Sequence, residues 1–184
     1  MDDSLAIQKL KKGDISGLEY LITRYQDRAL RTAVLILHDD ALAEDVVQDT
    51  YLRIYHRIRY FDENQPFEPY LMRSVANAAL NAAEKASRHI TLDEETEQVI
   101  LERYLQKALT TEDLIEYAQL KREIFSALGK LKPRERMVII DRYYLEMSEK
   151  EMATEHSIPT GTIKWLLNTA RHKLRKFIGV EGEE

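Results

Sequence analysis

Apolar side chains recur at intervals of three and four along nearly the whole chain. No stretch sustains the alternation of a half-buried strand, so the pattern predicts an all-α protein. Leu18, Leu21, Ile22, Tyr25, Ala29, Ala33 and Leu37 line one face of a first long helix, which His38, Asp39 and Asp40 bring to an end. A second helix runs from about Ala41 to Tyr60 on Val46, Val47, Thr50, Ile54 and Ile58, and Phe61-Asp62-Glu63-Asn64-Gln65-Pro66 interrupts it. A third begins near Pro69, tolerated there because an N–H in the first turn has no helical partner. It continues from Tyr70 to about Arg88 with many alanines, whose small side chains let helices approach closely.

The last third predicts four more helices, at about Glu112–Leu131, Pro133–Leu145, Ser148–His156 and Thr160–Ile178. Their ends are well marked. Pro133 suits a first helical position, and Ser148 followed three residues later by Glu151 is a capping box. Pro159 and Gly161 break the chain between the last two helices. Two small helical domains are therefore expected, at residues 1–88 and 112–180, joined by an acidic linker over 89–111 in which Val99, Ile100, Tyr104 and Leu105 suit a short amphipathic helix. Domains of that size bury a modest share of their surface, which gives a partner surface more weight.

Charge changes the picture through its distribution. The net charge of −5 by itself argues against a nucleic-acid ligand. Residues 1–88 hold 12 basic and 14 acidic side chains, residues 89–119 hold 2 and 8, and residues 120–184 hold 13 and 10, so acid collects in the middle and base at the end. The absence of cysteine removes disulfide scaffolds, thiolate zinc sites and thiol catalysis. His38, His56, His89, His156 and His172 are too dispersed to suggest a metal site, and no cofactor is expected. No run reaches the roughly 20 apolar residues of a bilayer span. Met1-Asp2-Asp3-Ser4 lacks the order of a secretion signal, and a cytoplasmic location is expected.

Two constellations carry candidate chemistry. Two short helices, a tight turn and a charged second helix, from Ser148 to Ile178, follow the helix-turn-helix plan in which the second helix enters the major groove. From Thr160 to Ile178 the charged residues are Lys164, Arg171, Lys173, Arg175 and Lys176, all basic, as phosphate neutralisation requires. Compensation of the helix dipole accounts for the last three but not for Lys164 near the helix start. On the second helix Asp45, Gln48 and Asp49 fall within about 100° of one another, opposite the apolar face. They form an acidic patch, a solvated surface or a docking site. No phosphate-cradling glycine loop or paired nucleophile and base appears, so no enzyme is expected.

The run Ala43-Glu44-Asp45-Val46-Val47-Gln48-Asp49-Thr50-Tyr51-Leu52-Arg53, then Phe61-Asp62, Phe67 and Tyr70-Leu71-Met72-Arg73, and finally the helix-turn-helix, resemble the second and fourth regions of extracytoplasmic-function sigma factors of bacterial RNA polymerase. The resemblance spans nearly the whole chain. It implies that Asp45, Gln48 and Asp49 bind core RNA polymerase, and that the loop from Tyr60 to Phe67 captures a flipped base of the −10 element. Arg53, Arg57, Tyr60, Phe61, Phe67, Tyr70, Arg73 and Asn77 are the implied −10 DNA contacts, by stacking and base-edge hydrogen bonds. Thr160, Thr162, Lys164, Arg171 and Lys173 are the candidate −35 DNA contacts. Promoter DNA, core RNA polymerase and an anti-sigma factor or other inhibitory protein are the implied partners.

Certain positions depart from the family pattern. Tyr70 stands where tryptophan is usual, the −10 loop carries three acids and no base, and the recognition helix holds Trp165, Leu166 and Thr169 where a small residue and two arginines are common. Trp165 is expected to pack in the core; an exposed tryptophan there would instead suggest a partner interface. The alternative reading is a sigma-like helix-turn-helix regulator, or an interaction module governed by an anti-sigma or other effector protein.

Overall fold

A computed structural model describes residues 2–86 and 114–178 of the chain. The elements are α1 (Asp3–Lys11), α2 (Ser16–Leu37), α3 (Asp40–Arg57), α4 (Phe67–Ala86), α5 (Leu114–Gly129), α6 (Pro133–Tyr143), α7 (Glu149–Glu155) and α8 (Thr160–Ile178). A 3-10 turn at Ile58–Tyr60 follows α3, and no strand occurs among the described residues. The short helix expected between Val99 and Leu105 lies outside them.

Helix α1 is the element that the longer periodicities did not reveal. Asp2 caps it by accepting from the Leu5 N–H at 2.8 Å, and its Ala6, Ile7 and Leu10 are buried. Gly13 then turns the chain at φ +85°, a conformation that suits glycine. A Cβ on Gly17 would lie 2.2 Å from the Ala6 carbonyl oxygen, so α1 and α2 meet at a distance only glycine permits.

The other helix ends follow from local chemistry. His38 closes α2 in the left-handed region and donates its N–H to the Val34 carbonyl at 2.8 Å. The next residue, Asp39, caps α3 by accepting from the Leu42 N–H at 2.9 Å. Helix α4 starts at Phe67, earlier than the expected start near Pro69, and the proline fits because the first four N–H groups of a helix lack intrahelical acceptors. Ser148 and Glu151 form the expected capping box, with the Ser148 N–H 2.7 Å from the Glu151 carboxylate and the Glu151 N–H 3.2 Å from Ser148 Oγ.

Apolar faces gather into two cores. Helices α1 to α4 bury Leu21, Ile36, Leu71 and Val75, whereas α5 to α8 bury Met137, Val138, Met152, Ile163 and Leu167. The two bodies are packed together. Phe125 and Ile140 belong to the first core and Leu80 to the second, and His38 stacks on Phe125 with ring centroids 4.0 Å apart.

Arg136 is the polar centre of that contact. Its buried guanidinium donates to the carbonyls of Leu128 at 2.8 Å, Gly129 at 2.8 Å and Leu131 at 3.1 Å, and across the junction to the Ile36 carbonyl at 2.6 Å. These oxygens lie at or just beyond the C-terminal ends of α5 and α2, where carbonyls lack helical donors and the helix dipole favours a cation.

Candidate functional site

The α3 patch is built by one amphipathic turn. Val46, Val47, Thr50 and Ile54 are buried, which turns Asp45, Gln48 and Asp49 together into solvent. None of these three side chains has an ion-pair partner among the described residues.

Beyond this patch, Arg53 and Arg57 are exposed on α3, and Tyr60 is 89 % exposed. Phe61 and Phe67, implied as DNA contacts, are instead buried at 6 % and 2 % exposure. They meet edge to face at 5.8 Å, and Tyr70 lies 4.9 Å from Phe61. These rings anchor both ends of the loop in the core, which explains why large aromatics bracket an otherwise polar segment. Phe61 and Phe67 thus position the loop here, while Tyr60 presents its ring to solvent.

The loop's acids are not left to the arginines of α3. Lys11 Nζ donates to the Phe61 carbonyl at 2.8 Å and to Glu63 at 2.7 Å, and Arg28 on α2 pairs with Glu68. The Lys11 hydrogen bond holds the Glu63 carboxyl below its ordinary value. Because α1 is not legible in the long-range periodicity, neither is this partner.

Arg73 and Asn77 point from α4 towards α7. Asn77 Nδ2 donates to Glu155 Oε1 at 2.5 Å, and Arg73 Nε lies 3.5 Å from Glu155 Oε2. Nearby, Arg134 Nε donates to Glu84 at 2.6 Å. The surface expected to face an unwound strand is therefore covered in part by the second helical body.

Helices α7 and α8 form a helix-turn-helix. Asp141 and His156, both buried at the side chain and 2.6 Å apart, tie α6 to the end of α7. Burial raises the Asp141 carboxyl pKa, against the hydrogen bond from His156. On α8, Thr162 and Lys164 are exposed and Thr160 is half-buried at its start. Lys164 Nζ lies 3.9 Å from Glu149 of α7. Arg171 donates Nε to the Tyr143 hydroxyl at 2.9 Å, and Lys173 holds both oxygens of buried Glu135 at 2.8 and 2.9 Å. Lys173 therefore anchors α8 to α6, so of the five candidates it is the one already committed to the fold.

Trp165 corrects an expectation. It is 63 % exposed, not packed in the core. Ile163, Leu166, Leu167 and Ala170 form the buried face of α8, and at about 100° per residue Trp165 falls nearly opposite them.

Comparison with known proteins agrees with this architecture. The family described as Sigma-70 region 2 matches residues 21–89, and Sigma-70, region 4 matches residues 127–176. The extracytoplasmic-function RNA polymerase sigma factor SigW of Bacillus subtilis is 29 % identical, over 92 % of this chain and 93 % of that protein. The extracytoplasmic-function sigma-E factor of Haemophilus influenzae is 24 % identical, over 97 % and 96 %. Among solved structures, CnrH in complex with the cytosolic domain of CnrY superposes with a TM-score of 0.63 at 21 % identity, covering 98 % of this chain and 99 % of that one. The sigma factor RpoE of Bartonella quintana, in complex with the anti-sigma factor NepR, gives 0.62 at 18 % identity, covering 89 % and 98 %. With both regions matched in order and relatives aligned along almost their full length, the chain belongs to the extracytoplasmic-function group of sigma factors.

Proposed function

We propose that this protein binds core RNA polymerase and directs promoter-specific transcription initiation, without catalysis of its own. The observation that carries the reading is the α3 patch: Asp45, Gln48 and Asp49 stand together in solvent on a helix whose other face is core. Residues 1–88 would supply the polymerase contact and −10 recognition, with Arg53, Arg57, Tyr60, Tyr70, Arg73 and Asn77 towards the unwound strand. Residues 112–180 would dock on duplex −35 DNA through Thr160, Thr162, Lys164 and Arg171, and the acidic stretch 89–111 links the two.

The packed arrangement adds a step. With Glu155 held against Arg73 and Asn77, the two bodies must part before α4 meets single-stranded DNA. An inhibitory protein of the anti-sigma class is a proposed partner, since NepR, bound to the similar RpoE chain, is such a protein. No described helix is long and apolar enough to cross a membrane, and the proposed work on chromosomal promoters places the chain in the cytoplasm.

The direct test combines pull-down with transcription. Asp45→Ala with Gln48→Ala should abolish capture of core polymerase while leaving the fold intact, and the unaltered protein with core should produce run-off transcripts from a subset of genomic fragments. Full capture by the double variant would show the patch to be misassigned. Core binding with no promoter-specific transcript would favour an interaction module.

A further inference from the structure

Helix α8 presents two chemically different faces. Ile163, Leu166, Leu167 and Ala170 lie on the second core. On the other side Trp165, Asn168 and His172, spaced by three and four, are all exposed, as are Lys164, Arg175 and Lys176 beside them. The helix itself carries five cations and no acid from Thr160 to Ile178; Lys173 is taken up by Glu135 and Lys164 lies 3.9 Å from Glu149, which leaves Arg175 and Lys176 exposed along this side.

What such a face suits can be narrowed by its surroundings. Around Trp165 stand Gly161, Thr162, Lys164, Asn168 and Thr169, so the indole is a single apolar spot in a polar, cationic setting. The centre of a protein interface is depleted in charge. A DNA major groove offers the matching combination, with phosphates at both edges and, on its floor, the C5-methyl group of thymine as an isolated apolar contact. The arginine fork that reads guanine is not on offer early in this helix, where Leu166 is buried and the first arginine is Arg171. Asparagine, by contrast, pairs bidentately with the N6 and N7 edge of adenine.

We propose that Trp165 and Asn168 are the specificity-determining pair of the recognition helix, Trp165 packing on a thymine methyl and Asn168 reading an adenine. Their three-residue spacing is a rise of about 4.5 Å, comparable with the spacing of about 3.4 Å between successive base pairs. The two contacts therefore fall on neighbouring or nearly neighbouring A·T pairs. This deepens the promoter-reading function proposed above and rests on it.

The test uses holoenzyme reconstituted from the full chain and core polymerase, with duplexes carrying a randomised −35 region. Wild type should select an element containing a thymine and a nearby adenine. Replacing that thymine by uracil, which removes only the methyl group, should weaken wild-type binding about fourfold and leave Trp165→Ala indifferent, while Trp165→Phe keeps the discrimination. Replacing the adenine by 7-deazaadenine should cost wild type about fivefold or more and Asn168→Ala nothing. Selection of the same element with the same discrimination by both alanine variants would overturn the proposal. So would a guanine-dominated element, or core-bound wild type that shows no −35 preference yet still initiates from the −10 element. A chain that forms no complex with core polymerase would overturn the parent reading instead.

Discussion

The Glu155 carboxylate on α7 accepts a hydrogen bond from Asn77 Nδ2 on α4 at 2.5 Å, and its other oxygen lies 3.5 Å from Arg73 Nε. One acidic side chain of the second helical body thus engages two α4 groups proposed to meet DNA. It brings them the sign of charge that a phosphate would bring. Arg73 and Glu155 side chains are 29 % and 30 % exposed, so the ion pair itself contributes no more than about 1 kcal/mol. Its significance lies in which groups it occupies.

Removing that carboxylate should expose the α4 surface. Glu155→Ala is expected to raise the affinity of the free protein for labelled single-stranded oligonucleotides by up to about fivefold, the equivalent of about 1 kcal/mol. Fluorescence anisotropy measures this directly. Unchanged affinity would mean that the contact does not compete with DNA.

Arg136 should matter more to stability than any surface pair. Arg136→Leu leaves the carbonyls of Ile36, Leu128, Gly129 and Leu131 without this donor, and the expected loss is about 3 kcal/mol. Urea unfolding checks the loss. Arg136→Lys should recover less than half of it, because one ammonium cannot reproduce a planar fork spanning two helix ends.

Gly17→Ala tests the close approach of α1. The added methyl meets the Ala6 carbonyl oxygen, a backbone atom that cannot rotate away, so the cost should be about 2 kcal/mol. Displacing α1 also moves Lys11 away from Glu63. Faster amide exchange in both α1 and the 61–66 loop is the expected signature, and exchange confined to α1 would show that Lys11 does not order the loop.

Acidification should weaken the fold through His38. Burial, with Arg136 nearby, holds its imidazole down to about 3, from an ordinary 6.5. The unfolded chain therefore takes up a proton between about pH 6.5 and 3 that the folded chain refuses, and stability falls as pH drops through that window. Between pH 7 and 5 the loss is about 2 kcal/mol. Asp141 acts in the opposite sense: its raised pKa is a cost at neutral pH, relieved as pH falls into the carboxylate range. His38→Asn keeps a residue suited to the left-handed cap, and its unfolding free energy from urea titration should change less between pH 7 and 5 by that amount. Parallel pH profiles would remove His38 from the explanation.

Long helices were legible because periodicity is local and repeated: α2, α3 and α8 emerge within a few residues of their expected ends. The Ser148–Glu151 capping box and Pro133 at the head of α6 were legible for the same reason, each being a short-range device. Helix α1 was missed because only Ala6, Ile7 and Leu10 mark its buried face. The chemistry of Trp165 suggests core, whereas its angular position opposite Ile163 and Leu167 places it outside. Of the candidate site, the α3 patch was legible as a helix face. The pairing of Arg73 and Asn77 with Glu155 was not, nor was the Arg136 bond to Ile36, because these join residues 78 to 100 positions apart and nothing in the local pattern records them.

Trp165 is also the chain's one tryptophan, and it stands on the exposed face of α8. The molecule therefore carries a native optical label at the surface proposed to meet duplex DNA. Excited selectively at the red edge of its absorption, where the tyrosines are silent, that indole reports its own surroundings alone. Docking of the recognition helix on duplex DNA then becomes visible as quenching and a spectral shift in the unmodified protein, separately from the proposed engagement of α3 with polymerase on the other helical body.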